Sequence, residues 1–208
     1  MKKELFFLLS FLILNEKALC QDKGQDISNL SLDSLLNVKI STASKYEQRT
    51  SEAPSAVSVI YSNDIEKFGY KTLNEVLNGI GGFYISYDRN YSYVGVRGFS
   101  RPTDYNDRIL LLVNNHPMNE NIFGASPMGT DLGLSLSSID RIEVVRGPGS
   151  ALYGTGAMFA VINIITKSGK NFDRYSLSLG GGSLGRYSGT FNFGKEIANN
   201  LDVFVSAK

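Results

Sequence analysis

The chain has 208 residues, a formal net charge of +1 and 42% hydrophobic residues, enough for a folded domain with a real core. The even charge balance gives no electrostatic footprint for nucleic acid. A single cysteine cannot form an internal disulfide, and with only a single histidine besides, the chain has no set from which to build a metal cluster.

The N-terminus has the pattern of a secretory leader. Lys2 and Lys3 supply the positive end, and the apolar stretch 5–14 is too short to span a bilayer. Cleavage is expected after Cys20, so that the mature chain begins at Gln21 and carries no cysteine. A lipid-anchored Cys20 would need a large apolar residue three positions before it and a small one just before; Lys17 and Leu19 sit there instead. Segment 21–29 is polar, 30–37 is weakly amphipathic, and 38–43 alternates as a short strand would. A polar connector, 45–55, follows.

Ala56 to Tyr61 alternates and predicts the first strand of a folded domain. Asn63 and Asp64 are suited to cap a short helix ending at Gly69. Thr72 and Glu75 form a capping box for a second helix with Leu73, Val76, Leu77 and Ile80 inward. Strands are predicted over 83–87 and 93–96, around the loop 88–92. Strand 108–113 follows a polar loop, 100–107, and Asn114-Asn115 supplies a turn suited to positive φ. His116, beside Pro117, reads as an exposed polar residue, and no nucleophile–base–orienter set can be assembled around it. An irregular loop, 118–132, leads back toward the region 139–167.

That region is a strand, a glycine-rich break and a second strand. A phosphate loop would need Gly-x4-Gly-Lys-Ser/Thr; Gly149 and Gly154 have the spacing, but Thr155 stands in the lysine's place and no helical pattern follows. From Arg174 the composition shifts to strands of about ten residues with one apolar and one mostly polar face, the outer-membrane barrel pattern. Phe204 falls on the polar face with Asp202, Ser206 and Lys208.

Ile139-x-Arg141-Ile142-Glu143-Val144-Val145-Arg146-Gly147-Pro148-Gly149-Ser150-Ala151-Leu152-Tyr153-Gly154, followed by Val161-Ile162-Asn163-Ile164-Ile165-Thr166-Lys167, resembles the plug domain of TonB-dependent outer-membrane receptors. Val96-Arg97-Gly98-Phe99 resembles that family's other signature, and Ile109-Leu110-Leu111-Leu112-Val113 the strand after it. The resemblance runs in order over roughly 53–167. It implies an α+β plug domain, a small mixed sheet with short helices, followed by the first strands of an antiparallel outer-membrane β-barrel. The division is then a signal peptide over 1–20, a periplasmic N-terminal segment over 21–52, the plug over 53–170 and barrel strands over 171–208. Such barrels need about 22 strands, so the sequence reads as a fragment.

The resemblance further implies a receptor rather than an enzyme, without a cofactor, exported to the outer membrane and in contact with its lipid. Its cargo would be an iron–siderophore complex, with cobalamin, haem or a glycan as alternatives. A free-standing plug-like periplasmic binding module is a further alternative. The TonB box, which adds a strand to TonB by main-chain hydrogen bonds, would be Val38, Lys39, Ile40, Ser41 and Thr42. The family's acidic-Thr-x-x-Val form is absent there, and Asn114-Asn115 replaces its usual Asp-Gly turn. Arg97, Arg146 and Glu143 are the implied ionic contacts between plug and barrel wall. Arg89, Tyr91, Tyr105 and Phe123, on loops placed at the outer apex, are the implied ligand contacts.

Overall fold

The computed structural model describes residues 39, 40, 42, 48, 49, 56–101, 103–172, 174–198 and 201–208. The expected leader, Val38 and Ser41 lie outside the described residues.

Five strands form the central sheet. They are β3 (Ala56–Tyr61), β6 (Ile109–Val113), β7 (His116–Pro117), β8 (Ile139–Arg146) and β9 (Ala160–Thr166), arranged β3-β8-β9-β6-β7. All neighbours are antiparallel except β6 and β9, which run parallel from Ile109↔Ala160 to Val113↔Ile164. The period of two assigns the two faces. Ile142, Val144, Ile162, Ile164, Ile109 and Leu111 point to one side, with Glu143, Val145, Val161, Asn163, Leu110 and Leu112 on the other. Both faces are covered, so β6 and β9 read as nearly continuous apolar runs.

The first face packs against α1 (Ser62–Phe68), α2 (Leu73–Asn78) and the hairpin β4 (Phe83–Tyr87) with β5 (Ser92–Val96), forming the larger core around Leu77, Val94, Met128 and Ile162. Helix α1 starts earlier than Asn63-Asp64 suggests, because Tyr61 occupies its N-cap; Asp64 Oδ2 accepts from Tyr61 N at 3.4 Å. Thr72 caps α2 through Glu75 N as expected, at 3.4 Å, but the Glu75 carboxylate accepts from Lys71 N at 2.6 Å. Asn114 and Asn115 take φ of 48° and 68° in the β6–β7 turn, the conformation their residue types tolerate. His116 is exposed, on β7.

The second face carries a smaller core, Leu110, Leu112, Val145, Ala157 and Val161, closed from outside by Ile40. Ile40 belongs to β1 (Lys39–Ile40), which pairs antiparallel with β2 (Gln48–Arg49). The expected short strand therefore exists, with a partner inside the stretch read as a connector.

A short helix, α3 (Ser150–Tyr153), follows the break after β8, and α4 (Gly169–Phe172) links β9 to an open three-stranded antiparallel sheet. Its strands are β10 (Tyr175–Gly181), β11 (Tyr187–Ala198) and β12 (Leu201–Ala207). Register puts Tyr175, Phe193 and Val205 side by side, then Leu177, Phe191 and Ala207. This apolar face is exposed, whereas on the other face Asn192 and Gly194 are buried. Asn192, at 4% exposure, bonds to Ser176 Oγ at 3.1 Å, Ser206 Oγ at 2.7 Å and Ser137 Oγ at 3.3 Å. Phe204 interrupts the polar face because it packs edge-on to Phe172 of α4, centroids 5.5 Å apart.

Candidate functional site

Three groups of the residues singled out by sequence occupy different parts of the molecule. The first is the strap formed by β1 and Thr42. Ile40 and Thr42 are each 1% exposed. Thr42 donates to Glu143 Oε2 from its backbone N at 3.1 Å and from its hydroxyl at 2.6 Å. Tyr153 OH donates to Thr42 O at 2.9 Å, and Asn163 Nδ2 to Thr42 Oγ1 at 3.2 Å. Glu143, 0% exposed, also accepts from Arg141 Nε at 3.0 Å. A carboxylate taken fully out of water needs such charged and dipolar donors to remain ionised. Burial raises the Tyr153 pKa, and the Glu143 charge adds to the rise.

The second group is the arginine pair where β5 and β8 end. Arg97, at φ 53°, donates from its backbone to Gly82 O at 2.7 Å and from Nη2 to Arg146 O at 3.3 Å. Arg146 donates to Gly81 O at 2.5 Å and to Ser58 Oγ at 3.0 Å, while its Nε is buried without a hydrogen-bond partner. Both guanidiniums thus brace carbonyls of the 81–82 turn and the β8 end. Glu143 sits away from this pair, under the strap, three positions back along β8.

The third group lies on the loops. Tyr91 and Tyr105 meet edge to face with centroids 5.0 Å apart, and Tyr93 stands 6.4 Å from Tyr105. Tyr91, Tyr105 and Phe123 are all exposed, as is Arg89, which sits at φ 76° in the β4–β5 turn. Two further residues, invisible to pattern reading, hold these loops. Asn106, 7% exposed and at φ 63°, accepts from Val94 N at 2.8 Å and donates to Ser92 O at 2.9 Å and Ser126 O at 3.4 Å. One side chain therefore joins the loops 88–92, 100–107 and 118–127. The only sequence signal is that Asn tolerates the left-handed region better than most residues.

Asp88 closes the β4–β5 turn, accepting from Tyr91 N at 2.6 Å, Asn90 N at 2.8 Å and Tyr93 OH at 2.9 Å. The Tyr91 and Asn90 amides hold its carboxyl below the ordinary carboxylate range. Removal from water, with the bond to Asp88, pushes the Tyr93 hydroxyl up to about 12. A carboxyl depressed on folding contributes stability above its ordinary pKa of about 4 and loses it as pH falls through the lower folded value. The turn should therefore stay protected at pH 5 and loosen only below the ordinary range. Amide exchange at Asn90 and Tyr91 across a pH series checks this; loosening already at pH 5 would contradict it.

Among the described residues no group of three His, Cys, Asp or Glu side chains is placed to hold a metal ion. No described helix is long and apolar enough to cross a membrane, a statement that does not bear on crossing by strands.

Comparison with known proteins agrees with this geometry. The family model for the TonB-dependent receptor plug domain matches residues 49–161. The vitamin B12 transporter BtuB of Vibrio vulnificus (strain CMCP6) is 34% identical over 161 residues, covering 76% of this chain and 25% of that protein. The iron-regulated outer membrane virulence protein of Vibrio cholerae serotype O1 (strain ATCC 39541 / Classical Ogawa 395 / O395) is 31% identical over 130 residues, 61% of this chain and 19% of that one. The chain thus spans about a quarter or less of the length of these relatives. The siderophore receptor PiuA from Acinetobacter baumannii superposes with a TM-score of 0.64 at 22% identity, over 85% of this chain and 23% of that one. For the ferric yersiniabactin uptake receptor FyuA from Yersinia pestis the TM-score is 0.57 at 23% identity, over 73% and 24%. At those identities the likeness is one of fold. With the family model covering more than half of its length, the chain belongs to the TonB-dependent receptor plug domain family.

Proposed function

We propose that this chain is the gating and coupling part of an outer-membrane receptor that takes up a scarce ligand with energy delivered by TonB, and that the ligand is an iron–siderophore complex. The observation that carries the coupling half is the strap. Lys39 and Ile40 form a short strand separate from the central sheet, with Ile40 against one face of it. Such a segment, once released, offers main-chain donors and acceptors to a strand of TonB. The ligand half rests on the loop cluster: Tyr91, Tyr105 and Phe123 offer aromatic faces, and Arg89 a planar cation, a set suited to an anionic or catecholate chelate.

In the same reading, strands β10–β12 begin the barrel. Their exposed apolar face meets outer-membrane lipid and their polar face meets the plug. Arg97 and Arg146 would face barrel carboxylates while bracing the plug's own carbonyls. No covalent chemistry is required, and the chain is exported through its leader.

A cobalamin ligand is the second reading, favoured by the 34% identity to a vitamin B12 transporter. Growth separates the two. A strain lacking the native gene and carrying the complete gene is grown on single iron chelates as sole iron source, and separately under dependence on external cobalamin. Rescue by one chelate, abolished when 38–42 is replaced by a proline-containing segment, is the expected result. Rescue by cobalamin alone would transfer the assignment, and rescue that survives the replacement would remove this segment from coupling.

A further inference from the structure

Three parts of the plug that are far apart in sequence converge on one strap residue. Glu143 of β8, Tyr153 of α3 and Asn163 of β9 lie 101, 111 and 121 positions from Thr42, and each hydrogen-bonds to it. We propose that Glu143 is a latch: a positioning residue that holds the 39–42 segment on the sheet and sets how often the segment is free. The inference rests on the reading of that segment as the TonB-pairing strand.

The docked strap is not presentable to an incoming strand. Strand addition uses main-chain N–H and C=O groups together with alternate side chains. Here Lys39 and Ile40 already pair with Arg49 and Gln48, Ile40 is buried in the second core, and the N, O and hydroxyl of Thr42 are all bonded to the plug. Docking and pairing therefore exclude each other at these residues. Release has to break the Thr42 contacts before TonB can gain any of its own.

Among those contacts, Glu143 has the position of control. The Ile40 contact is apolar and without direction, so it favours docking without fixing register. The carboxylate is specific. It takes two bonds from Thr42, one from the main chain and one from the hydroxyl, both assisted by its charge and therefore stronger than neutral bonds. A slip of the strap by one residue would turn Ile40 and Thr42 away from the sheet together and lose both. On its other side the same carboxylate is held by Arg141 Nε at 3.0 Å, and Arg141 in turn contacts Asp140 at 3.2 Å. The latch is thus anchored in β8, an interior strand bonded on both edges, while among the described residues the strap is held by β2, the sheet face and the Tyr153 hydroxyl. When the contact parts, the strap is the side that leaves.

The test uses the intact receptor in outer-membrane preparations without ligand, carrying Ile40→Cys as reporter. A thiol at this buried position reacts with a maleimide only when the strap lifts, and mass analysis of the peptide reads position 40 alone. Thr42→Val removes the hydroxyl from the strap and leaves the plug core untouched; Glu143→Gln removes the charge while keeping the shape. Each should raise the labelling rate by about tenfold or more, the scale of a hydrogen bond to a charged group. The two together should fall clearly short of the sum of the single effects, because both act on the bond between the Thr42 hydroxyl and Glu143. Unchanged labelling in Thr42→Val overturns the latch, whether or not Glu143→Gln inserts in the membrane, and so does full additivity. Capture by the periplasmic domain of TonB is measured in parallel. Faster labelling without capture leaves the latch standing and sinks the pairing reading. Capture with unchanged labelling sinks the latch alone.

Discussion

Replacing Asn106 by alanine should be among the most damaging single changes in the plug, with a loss of about 3–5 kcal/mol. The estimate follows from what is left behind. Val94 N, Ser92 O and Ser126 O each lose the partner that Asn106 supplies. The backbone at φ 63° adds a cost of about 1 kcal/mol for a residue with a plain Cβ. Against a total stability of about 5–15 kcal/mol for an ordinary domain, this is a large fraction. Asn106→Gly separates the two causes, since glycine accepts the positive φ and makes none of the bonds. Glycine should recover about 1 kcal/mol of the loss in urea unfolding, and both variants should lose protection at the Val94 amide. If alanine costs less than 1 kcal/mol, Asn106 does not join the three loops. If the loop cluster contacts ligand as proposed, separation of Tyr91 from Tyr105 should also weaken ligand capture in both variants, in proportion to the loss of order rather than to any change at the rings.

Gly169→Ala is expected to unseat the connection between plug and β10–β12. A methyl there would stand 2.6 Å from Val203 N and 2.7 Å from Lys195 O, and closer still to Val203 O. All three are backbone atoms of a paired ladder, so the neighbours cannot swing aside as a long side chain would. Overpacking of this kind costs about 1–3 kcal/mol. The consequence spreads because α4 also carries Phe172. Its ring contacts Phe204, receives the Arg174 guanidinium at 4.9 Å and lies 5.3 Å from the Lys167 ammonium. Lys167 is itself largely buried, and loss of water lowers its pKa. Moving α4 would break these contacts together. Limited proteolysis should show new cleavage over 167–174 in Gly169→Ala but not in Gly181→Ala, where a Cβ meets nothing within 4 Å. Equal resistance of the two would show that α4 does not need its present depth.

The sequence carried the strands well. The period of two over 139–145 located β8, and the apolar run 160–166 located β9; β8 reads from its alternation as half-buried, but both its faces are covered, Ile142 and Val144 in one core and Val145 in the other. The Asn114-Asn115 turn was equally legible, because positive φ restricts residue type. The same logic located β10–β12, apart from Phe204, whose inward ring depends on Phe172 more than thirty positions earlier. What sequence did not reveal is polar and distant. Glu143 stands in a motif that draws the eye to its charge, but its bond to the strap residue Thr42, 101 positions away, has no periodic signature. Asn106 is a single residue in a polar loop, and nothing local distinguishes it from its neighbours. Arg97 and Arg146 stand out at their glycine breaks, yet the Arg146 guanidinium and the Arg97 backbone reach carbonyls of a turn between α2 and β4, and the Arg97 guanidinium reaches the end of β8, contacts that no pattern connects to them.

If the chain is exported as proposed, the order β3-β8-β9-β6-β7 also bears on how it comes to fold. Strand β3 has a single neighbour in the sheet, β8, and Ser58 lies 88 positions before Arg146, to which it bonds. A chain threading out of a translocation pore N-terminus first therefore presents Val57, Val59 and Ile60 to the periplasm well before their partners arrive. The parallel β6–β9 pair extends the delay, since β6 cannot complete its inner edge until β9 has emerged. Pairings of such long range form slowly, and exposed strand edges invite association with other chains. Holdase chaperones of the periplasm would find their longest-lived target in this interval, and their removal should lower the yield of inserted receptor more than it alters any receptor already folded.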